Sequence, residues 1–199
     1  MLLSPEKFRE VKREIRIVGV DDGVFVPHSR GFADVIGVVF RGGYWLDGVM
    51  KTRVVVDGMD ATVKIAEMVR GSPHFAQLRV VMLDGVTFAG FNVVDIAELF
   101  RSTGLPVIAI TRDEPDFDDI RQALMHLPQG EARWEIIANA SGLIRFRGRR
   151  GAEPIFLQVA GVSVEDAEKI VRVSCTRSNV PEPLRVAHII ASGLTKPVL

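Results

Sequence analysis

The feature that most constrains the fold is an apolar stretch that ends on acids, Ile15-Arg16-Ile17-Val18-Gly19-Val20-Asp21-Asp22-Gly23. Its β-branched residues predict a buried strand over residues 15–20. A carboxylate is costly to bury unless it is paired or binds a cation, so the two acids that follow need a physical explanation. Asp-Gly is also a common hairpin turn, and this motif alone leaves a turn and a metal site as alternatives.

Two later strand predictions also end on polar residues. Arg79-Val80-Val81-Met82-Leu83 leads into Asp84, and Leu105-Pro106-Val107-Ile108-Ala109-Ile110 leads into Thr111-Arg112-Asp113. Uniformly apolar strands separated by helices favour a parallel sheet that is covered on both faces. Ligands of open α/β sheets bind at the carboxyl ends of the strands, so Asp21 and Asp84 would face each other if their strands are neighbours.

The remaining patterns complete an α/β prediction. Helices are predicted over residues 5–13, 61–69, 92–103, 116–126, 163–177 and 182–192, and further strands over residues 34–41, 44–57, 134–138, 143–146 and 154–160. The first three strands are expected to form an antiparallel meander, followed by parallel β-α units, in a mixed sheet flanked by helices. We expect one domain over residues 1–199, with its core in residues 15–192.

Charge and cysteine content narrow the class of protein. The chain has 25 basic and 25 acidic side chains, so its net charge does not indicate a polyanionic partner. Its single cysteine, Cys175, excludes an intramolecular disulfide and fits a core thiol in a reducing, cytoplasmic setting. No signal peptide or membrane-spanning segment is predicted, so no membrane partner is expected.

Paired carboxylates at the strand ends indicate a metal-dependent reaction. Asp21 and Asp84 would repel each other unless a cation lies between them, and oxygen ligands of this kind suit Mg²⁺ or Mn²⁺. The chemistry that fits such a site is phosphodiester hydrolysis. Candidates for a third ligand are Asp57, Asp60 and Glu67, of which Asp60 would also cap a helix and Glu67 would also suit a solvated helix face.

A histidine and several arginines are further candidates. His188 lies beside the apolar stripe of the last predicted helix, where it is either a hydrogen-bonded core residue or a ligand and proton shuttle. The arginines are expected to contact a phosphate backbone or to form a solvated hairpin. Besides Arg112, they are those of the predicted basic hairpin, namely Arg145, Arg147, Arg149 and Arg150.

Four blocks of the chain resemble endonuclease V in order and approximate spacing. They are Gly19-Val20-Asp21, Leu83-Asp84-Gly85, the stretch 104–112 and Pro181-Glu182-Pro183-Leu184-Arg185-Val186-Ala187-His188. Endonuclease V is a ribonuclease-H-like nuclease that cuts beside inosine in DNA or RNA. Blocks at 20–23, 57–62 and 90–95 resemble an archaeal family described as endonuclease-V-like. The similarity spans about residues 15–192 and implies a ribonuclease-H-like fold, a divalent metal and a DNA or RNA partner.

The resemblance also assigns roles to single residues. Asp21 and Asp84 correspond to metal-binding aspartates of the nuclease, and His188 falls on the histidine of its C-terminal helix. The nuclease has a metal-binding glutamate where this chain has Asp57 and Asp60, and we choose Asp60 because it opens the following helix. The resemblance therefore implies that Asp21, Asp84, Asp60 and His188 are catalytic, with the three aspartates as metal ligands.

Departures from the nuclease pattern concern the substrate. The Pro-Tyr-Ile-Pro wedge is missing between residues 50 and 75, the stretch 86–92 replaces a histidine and a Pro-Arg pair, and Thr111-Arg112 replaces a lysine. Specificity for inosine is therefore not implied together with the fold. Two functions remain, namely a divalent-metal-dependent nuclease and a catalytically inactive module that binds nucleic acid or protein.

Overall fold

The structure is a computed structural model that describes residues 8–148 and 153–195. Its strands are β1 (Arg16–Asp22), β2 (Phe32–Arg41), β3 (Trp45–Val55), β4 (Val80–Asp84), β5 (Thr87–Phe88), β6 (Asn92–Val93), β7 (Val107–Thr111), β8 (Ile144–Phe146) and β9 (Ile155–Ala160). Its α-helices are α1 (Ala61–Arg70), α2 (Ile96–Thr103), α3 (Phe117–Leu124), α4 (Gly130–Asn139), α5 (Val164–Ser174) and α6 (Glu182–Thr195).

Seven strands form one mixed sheet in the order β3-β2-β1-β4-β7-β9-β8. Strands β1, β4 and β7 are parallel neighbours, and every other neighbouring pair is antiparallel. The predicted meander of β1, β2 and β3 and the β-α units that follow it are therefore confirmed. Strands β5 and β6 form a separate small hairpin directly after β4.

Helices cover both faces of this sheet. On one face, α1 and α2 pack through side chains such as Ile65 and Leu99, and on the other face α5 and α6 pack through side chains such as Ile170 and Leu184. The central parallel strands are almost wholly buried, as their uniformly apolar sequences predict. Within residues 8–148 and 153–195, no helix has the length and apolar character needed to cross a membrane.

The strand register brings two acids to one level of the sheet. Val20 pairs with Leu83 in the parallel β1–β4 ladder, so Asp21 and Asp84 are the next residues on adjacent strands. Because side chains alternate along a strand, both acids share the face of Ile17 and lie on the side of α5 and α6. Asp22 points to the opposite face, as the alternation predicts.

Three sequence predictions are wrong in detail. Residues 8–13 are not helical, and the rest of the predicted helix over 5–13 lies outside the described residues. The helix predicted from residue 92 begins at Ile96, because the Asp95 carboxylate accepts a hydrogen bond from the Glu98 N–H and caps the helix there. The predicted end of that helix at residue 103 is confirmed, and Gly104 follows it in a left-handed conformation.

The third error is the strand predicted over residues 134–138, which instead lies inside α4. The buried residues of α4 are Gly130, Arg133 and Ile137, at spacings of three and four. That spacing is helical, but a glycine and an arginine at two of the three positions conceal it from an analysis of apolar residues.

Candidate metal centre

Asp21, Asp84 and His188 converge at the carboxyl end of the parallel strands. Each side chain offers one ligand atom, and these atoms all lie within 4.8 Å of one another. Asp21 and Asp84 stand at the ends of β1 and β4, and His188 comes from α6. The Nδ1 atom of His188 lies 2.8 Å from Oδ2 of Asp21. The sequence and its resemblance to endonuclease V select these three residues together with Asp60, which is not part of this group.

Close packing of α6 on β1 places the histidine. A Cβ atom added at Gly19 would lie 2.5 Å from the carbonyl carbon of Pro183 and 2.6 Å from its Cβ, so only glycine permits this approach. Leu184 and Ala187 are fully buried on the same side of the helix. His188 follows this buried pair and therefore lies directly over the end of β1.

The electrostatics of the site favour a cation. Burial, and then the nearby Asp84 carboxylate, raise the pKa of Asp21 to about 6, although the hydrogen bond from His188 opposes that shift. Burial also raises the pKa of Asp84, against the opposing effects of Arg112 and His188, and it raises the pKa of Asp22. The repulsion between these carboxylates is relieved either by protonation or by a bound cation. At neutral pH, the carboxylates of Asp21 and Asp84 and the imidazole of His188 fit a divalent metal.

Asp22, which directly follows Asp21 in the sequence, has a different role. Its Oδ2 atom accepts a hydrogen bond of 2.7 Å from the backbone N–H of Ala89. Asp57 holds the same segment, because its Oδ1 accepts a hydrogen bond of 2.9 Å from the N–H of Phe91 and its own N–H donates to the Ala89 carbonyl. The segment 85–91, which follows Asp84, is thus tied to β1 and to the chain after β3.

The other candidates for a third ligand lie outside this group. The Oδ1 atom of Asp60 accepts hydrogen bonds from Asn92 Nδ2 at 2.6 Å and from the Val55 N–H at 3.1 Å. Asp60 stands at the position that caps α1, but its side chain makes no capping bond, and Asn92 Oδ1 instead accepts from the N–H of Ala61. Glu67 pairs with an exposed lysine on the surface of α1.

Arg133 is a structural residue that the sequence analysis missed. Its side chain is buried, and its guanidinium donates to the backbone carbonyls of Asp57 at 2.6 Å and Gly58 at 2.7 Å, and to those of Phe91 and Pro128. An arginine in a helix ordinarily indicates a solvated face, so no local pattern marks it. It fixes the loops beside the acids from the side of α4.

Three of the arginines predicted to contact phosphates lie in the described residues, at the same end of the sheet as the acids. Arg112 is exposed, directly follows β7 and is near enough to Asp84 to oppose the rise in its pKa. Arg145 is exposed on β8 and pairs with Phe156, which in turn pairs with Thr111. The exposed Arg147 follows β8, whereas Arg149 and Arg150 lie outside the described residues.

Comparisons with known proteins identify the family of this chain and support its fold. Residues 13–195 match the profile of the family described as Endonuclease dU. The UPF0215 protein of Methanothermobacter thermautotrophicus is 56% identical over 194 residues, which cover 97% of this chain and 94% of that protein.

Solved structures are also similar to this chain, and two of them are informative. A protein of unknown function from Archaeoglobus fulgidus has 34% identity and a TM-score of 0.81, with 92% of this chain and 99% of that chain covered. Endonuclease V of Ciona intestinalis, in complex with DNA containing an inosine, has 16% identity and a TM-score of 0.59, with 87% and 82% covered. The second likeness confirms the predicted ribonuclease-H-like fold. The chain belongs to the Endonuclease dU family, an archaeal endonuclease-V-like family.

Proposed function

We propose that the protein is a divalent-metal-dependent endonuclease that hydrolyses phosphodiester bonds in DNA or RNA. The observation that supports it most directly is the convergence of Asp21, Asp84 and His188 within 4.8 Å at the carboxyl end of the sheet. Membership of an endonuclease-V-like family, and the likeness in fold to an endonuclease V that binds inosine-containing DNA, agree with this function.

Asp21 and Asp84 are the proposed metal ligands, with His188 beside them. Carboxylate oxygens suit Mg²⁺ and Mn²⁺, and a nearby imidazole is better tolerated by Mn²⁺. A cation at this position supplies Lewis-acid stabilisation of the phosphate charge and activation of the attacking water. Asp60 is omitted from the proposed set because its Oδ1 is engaged by Asn92 and Val55.

His188 is proposed to carry a proton during the reaction. Its Nδ1 is hydrogen-bonded to Asp21, which fixes the orientation of the ring, and 53% of its side chain is exposed. An imidazole that is held on one side and open to solvent on the other can pass a proton between the site and solvent.

The exposed arginines are proposed to hold the phosphate backbone. Arg112 lies close enough to Asp84 to oppose the rise in its pKa, and Arg145 and Arg147 extend the positive surface along the same end of the sheet. Guanidinium groups bind phosphate oxygens through two parallel hydrogen bonds, which gives orientation as well as affinity. Arg149 and Arg150, outside the described residues, remain phosphate-binding candidates from the sequence.

Cleavage of end-labelled oligonucleotides tests this function. Single- and double-stranded DNA and RNA are compared without a modified base, with one inosine and with one deoxyuridine, since the family's description names dU. Each is incubated with Mg²⁺, Mn²⁺ or a chelator. We expect metal-dependent cutting that falls about a hundredfold or more in Asp21→Asn and in Asp84→Asn, because each removes a ligand charge.

The matched control is Asp113→Asn, an exposed aspartate at the same end of the sheet and outside the group, which should cut like the unchanged protein. Calorimetry with Mn²⁺ gives a second readout that does not depend on the substrate. Failure to cut any substrate with either metal, together with Mn²⁺ binding that does not depend on Asp21, would exclude the proposed nuclease.

A further inference from the structure

Strand β3 forms one edge of the seven-stranded sheet. It has 11 residues, and in the described part of the chain it pairs with β2 alone. An edge strand of this length leaves a row of backbone N–H and C=O groups open to pairing with another chain. Proteins usually cover or shorten such an edge, so a long uncovered edge needs a physical explanation.

Large apolar side chains are concentrated along this edge. Leu46, Val49 and Val55 on β3 are between 37% and 53% exposed, and Phe32, which pairs with Val55, is 66% exposed. The β2 residues opposite Leu46 and Val49 pack against α6, so these side chains share the face of α6 but lie outside its cover. A single exposed apolar side chain is ordinary, whereas a row of them along an unpaired edge indicates an interaction surface.

The charges on this surface fit a protein better than a nucleic acid. Lys51 and Arg53 are exposed, but the Lys51 Nζ lies 3.0 Å and the Arg53 Nε 2.8 Å from the carboxylate oxygens of Asp34. Both cations are therefore partly neutralised, and their apolar neighbours along β3 are aliphatic. A phosphate backbone is bound by cations that it neutralises itself, whereas apolar residues among paired charges are typical of protein interfaces.

The order of charges along β3 fits a second copy of the same strand. Asp47 lies in its first half, where Arg41 binds it, and Lys51 and Arg53 lie in its second half. In antiparallel pairing about a twofold axis near Met50, each first half faces the second half of the other copy, so the acid lies opposite the cations. Parallel pairing in register would instead place like charges side by side. The pattern therefore favours a closed, twofold dimer.

The length of the edge is sufficient for a stable interface. Eleven residues extend about 37 Å, and a stable dimer buries about 800 Å² on each partner. A contact along the whole edge supplies this area if it is about 22 Å wide, which is close to the thickness of a sheet with one layer of helices. Helix α1 packs against β3 on the face opposite to α6, so its flank adds to the contact.

We propose that two copies of this chain pair antiparallel through β3 and form a symmetric dimer in which their two sheets become one. Backbone hydrogen bonds join the two edges, and the exposed apolar side chains of one copy pack beside those of the other. The charges already have partners within each chain, so they set the direction of pairing and add little to its strength. The dimer does not depend on the nuclease function.

The dimer brings two metal centres to one face of the joined sheet. Asp21 pairs with Ile36, and Ile36 pairs with Lys51, so each centre lies at the level of Lys51 and two strands from the edge. The twofold axis is perpendicular to the sheet and keeps both α6 helices on the same face. With strands about 4.8 Å apart, the two Asp21 residues are about 25 Å apart. This consequence, unlike the dimer itself, rests on the proposed function.

Light scattering and sedimentation equilibrium measure the mass in solution. We expect the unchanged protein to have twice the mass of one chain. Val49→Lys should raise the dissociation constant of the dimer about tenfold or more, because it removes an apolar contact and brings a third ammonium group near Lys51 of the other copy. Val164→Lys is the matched control, since Val164 is an exposed valine on α5, and it should leave the dimer unchanged.

A cross-link gives a readout that misfolding cannot imitate. In Val49→Cys, a short bis-maleimide should join two chains, because the two copies of this position lie on either side of the axis. The unchanged protein, whose single cysteine is Cys175, and Val164→Cys should remain single chains. In the dimer loaded with Mn²⁺, electron–electron double resonance should give a distance of about 25 Å between the two ions.

The outcomes separate this proposal from the nuclease function. A monomeric protein at about 100 µM would overturn the dimer, and so would a dimer that persists unchanged in Val49→Lys or that Val49→Cys fails to cross-link. If Val49→Lys weakens oligonucleotide binding by a monomer, the surface belongs to the substrate and the proposal is wrong. A dimer that depends on Val49 but binds no Mn²⁺ would support this interface and contradict the metal centre.

Discussion

Nδ1 of His188 lies 2.8 Å from Oδ2 of Asp21, although 167 residues separate the two in the chain. The contact joins the last helix to the first strand at the level where β4 contributes Asp84. Asp21 is 5% exposed, whereas the His188 side chain is 53% exposed, so the histidine links a buried carboxylate with solvent. Because its hydrogen bond lowers the pKa of Asp21, it also helps to keep that carboxylate ionised.

The first prediction distinguishes two roles of His188, as a group that carries a proton and as a metal ligand. His188→Ala should lower the cleavage rate about a hundredfold or more, since a positioned acid–base group is lost. It should shift the midpoint pH of Mn²⁺ binding upward, because the pKa of Asp21 rises without its partner. Calorimetry across pH measures this shift. His126→Ala, at an exposed histidine after α3, is the control. Complete loss of Mn²⁺ binding at high pH would instead make His188 a required ligand.

The second prediction concerns the pH dependence of stability without metal. The pKa of Asp21 is about 6 in the folded protein and 3.8 in the unfolded chain, so the folded state binds the proton more tightly. Asp21 therefore stabilises the fold most at low pH, and that contribution is lost as pH rises through about 6. Asp22 and Asp84 act in the same direction, because burial raises their pKa values too.

Thermal unfolding of the unchanged protein and of Asp21→Asn, in chelator and in Mn²⁺, measures this effect. In chelator, the melting temperature of the unchanged protein should fall relative to that of Asp21→Asn as pH rises through about 6. In Mn²⁺ the trend should reverse, since the metal binds the ionised carboxylates and stabilises the folded state. A difference that stays constant with pH in chelator would contradict the raised pKa.

Much of this architecture is readable from the sequence. The uniformly apolar strands of β1, β4 and β7 predict a buried parallel core, and the acids at their ends predict where chemistry is possible. The sequence places Asp21 and Asp84 together only if their strands are neighbours, and the observed strand order meets that condition. His188 required the resemblance to endonuclease V, because its spacing equally fits a core histidine.

Contacts between distant loops are not readable in the same way. Asp60 has the sequence position of a helix cap, but its carboxylate binds Asn92, which is 32 residues away. Arg133 binds carbonyls of residues 57 and 58, and those contacts exist only after α4 has packed beside the sheet. Tertiary hydrogen bonds of this kind override local preferences, and no periodicity encodes them.

The third prediction tests the stabilising role of Arg133. Arg133→Met keeps much of the apolar stem but leaves the carbonyls of residues 57, 58, 91 and 128 without their donor. We expect the free energy of unfolding to fall by about 3 kcal/mol, because buried acceptors lose charge-assisted hydrogen bonds. Urea denaturation of Arg133→Met and of the unchanged protein measures this difference in unfolding free energy. Arg101→Met, on the exposed surface of α2, should change stability by less than about 0.5 kcal/mol. Equal effects of the two changes would contradict the role assigned to Arg133.

The last prediction concerns the approach of α6 to β1. In Gly19→Ala the new methyl group would lie 2.5 Å from the carbonyl carbon of Pro183, so the helix must move away from the strand. We expect a loss of about 1–3 kcal/mol in unfolding free energy from overpacking. Since α6 carries His188, Mn²⁺ affinity and cleavage should fall as well. Gly193→Ala is the matched control on the same helix, because its methyl group meets nothing within 4 Å and should stabilise the helix by about 0.5–1 kcal/mol. Urea denaturation and Mn²⁺ calorimetry of both variants decide the point: full metal affinity in Gly19→Ala would mean that the position of His188 does not depend on this contact.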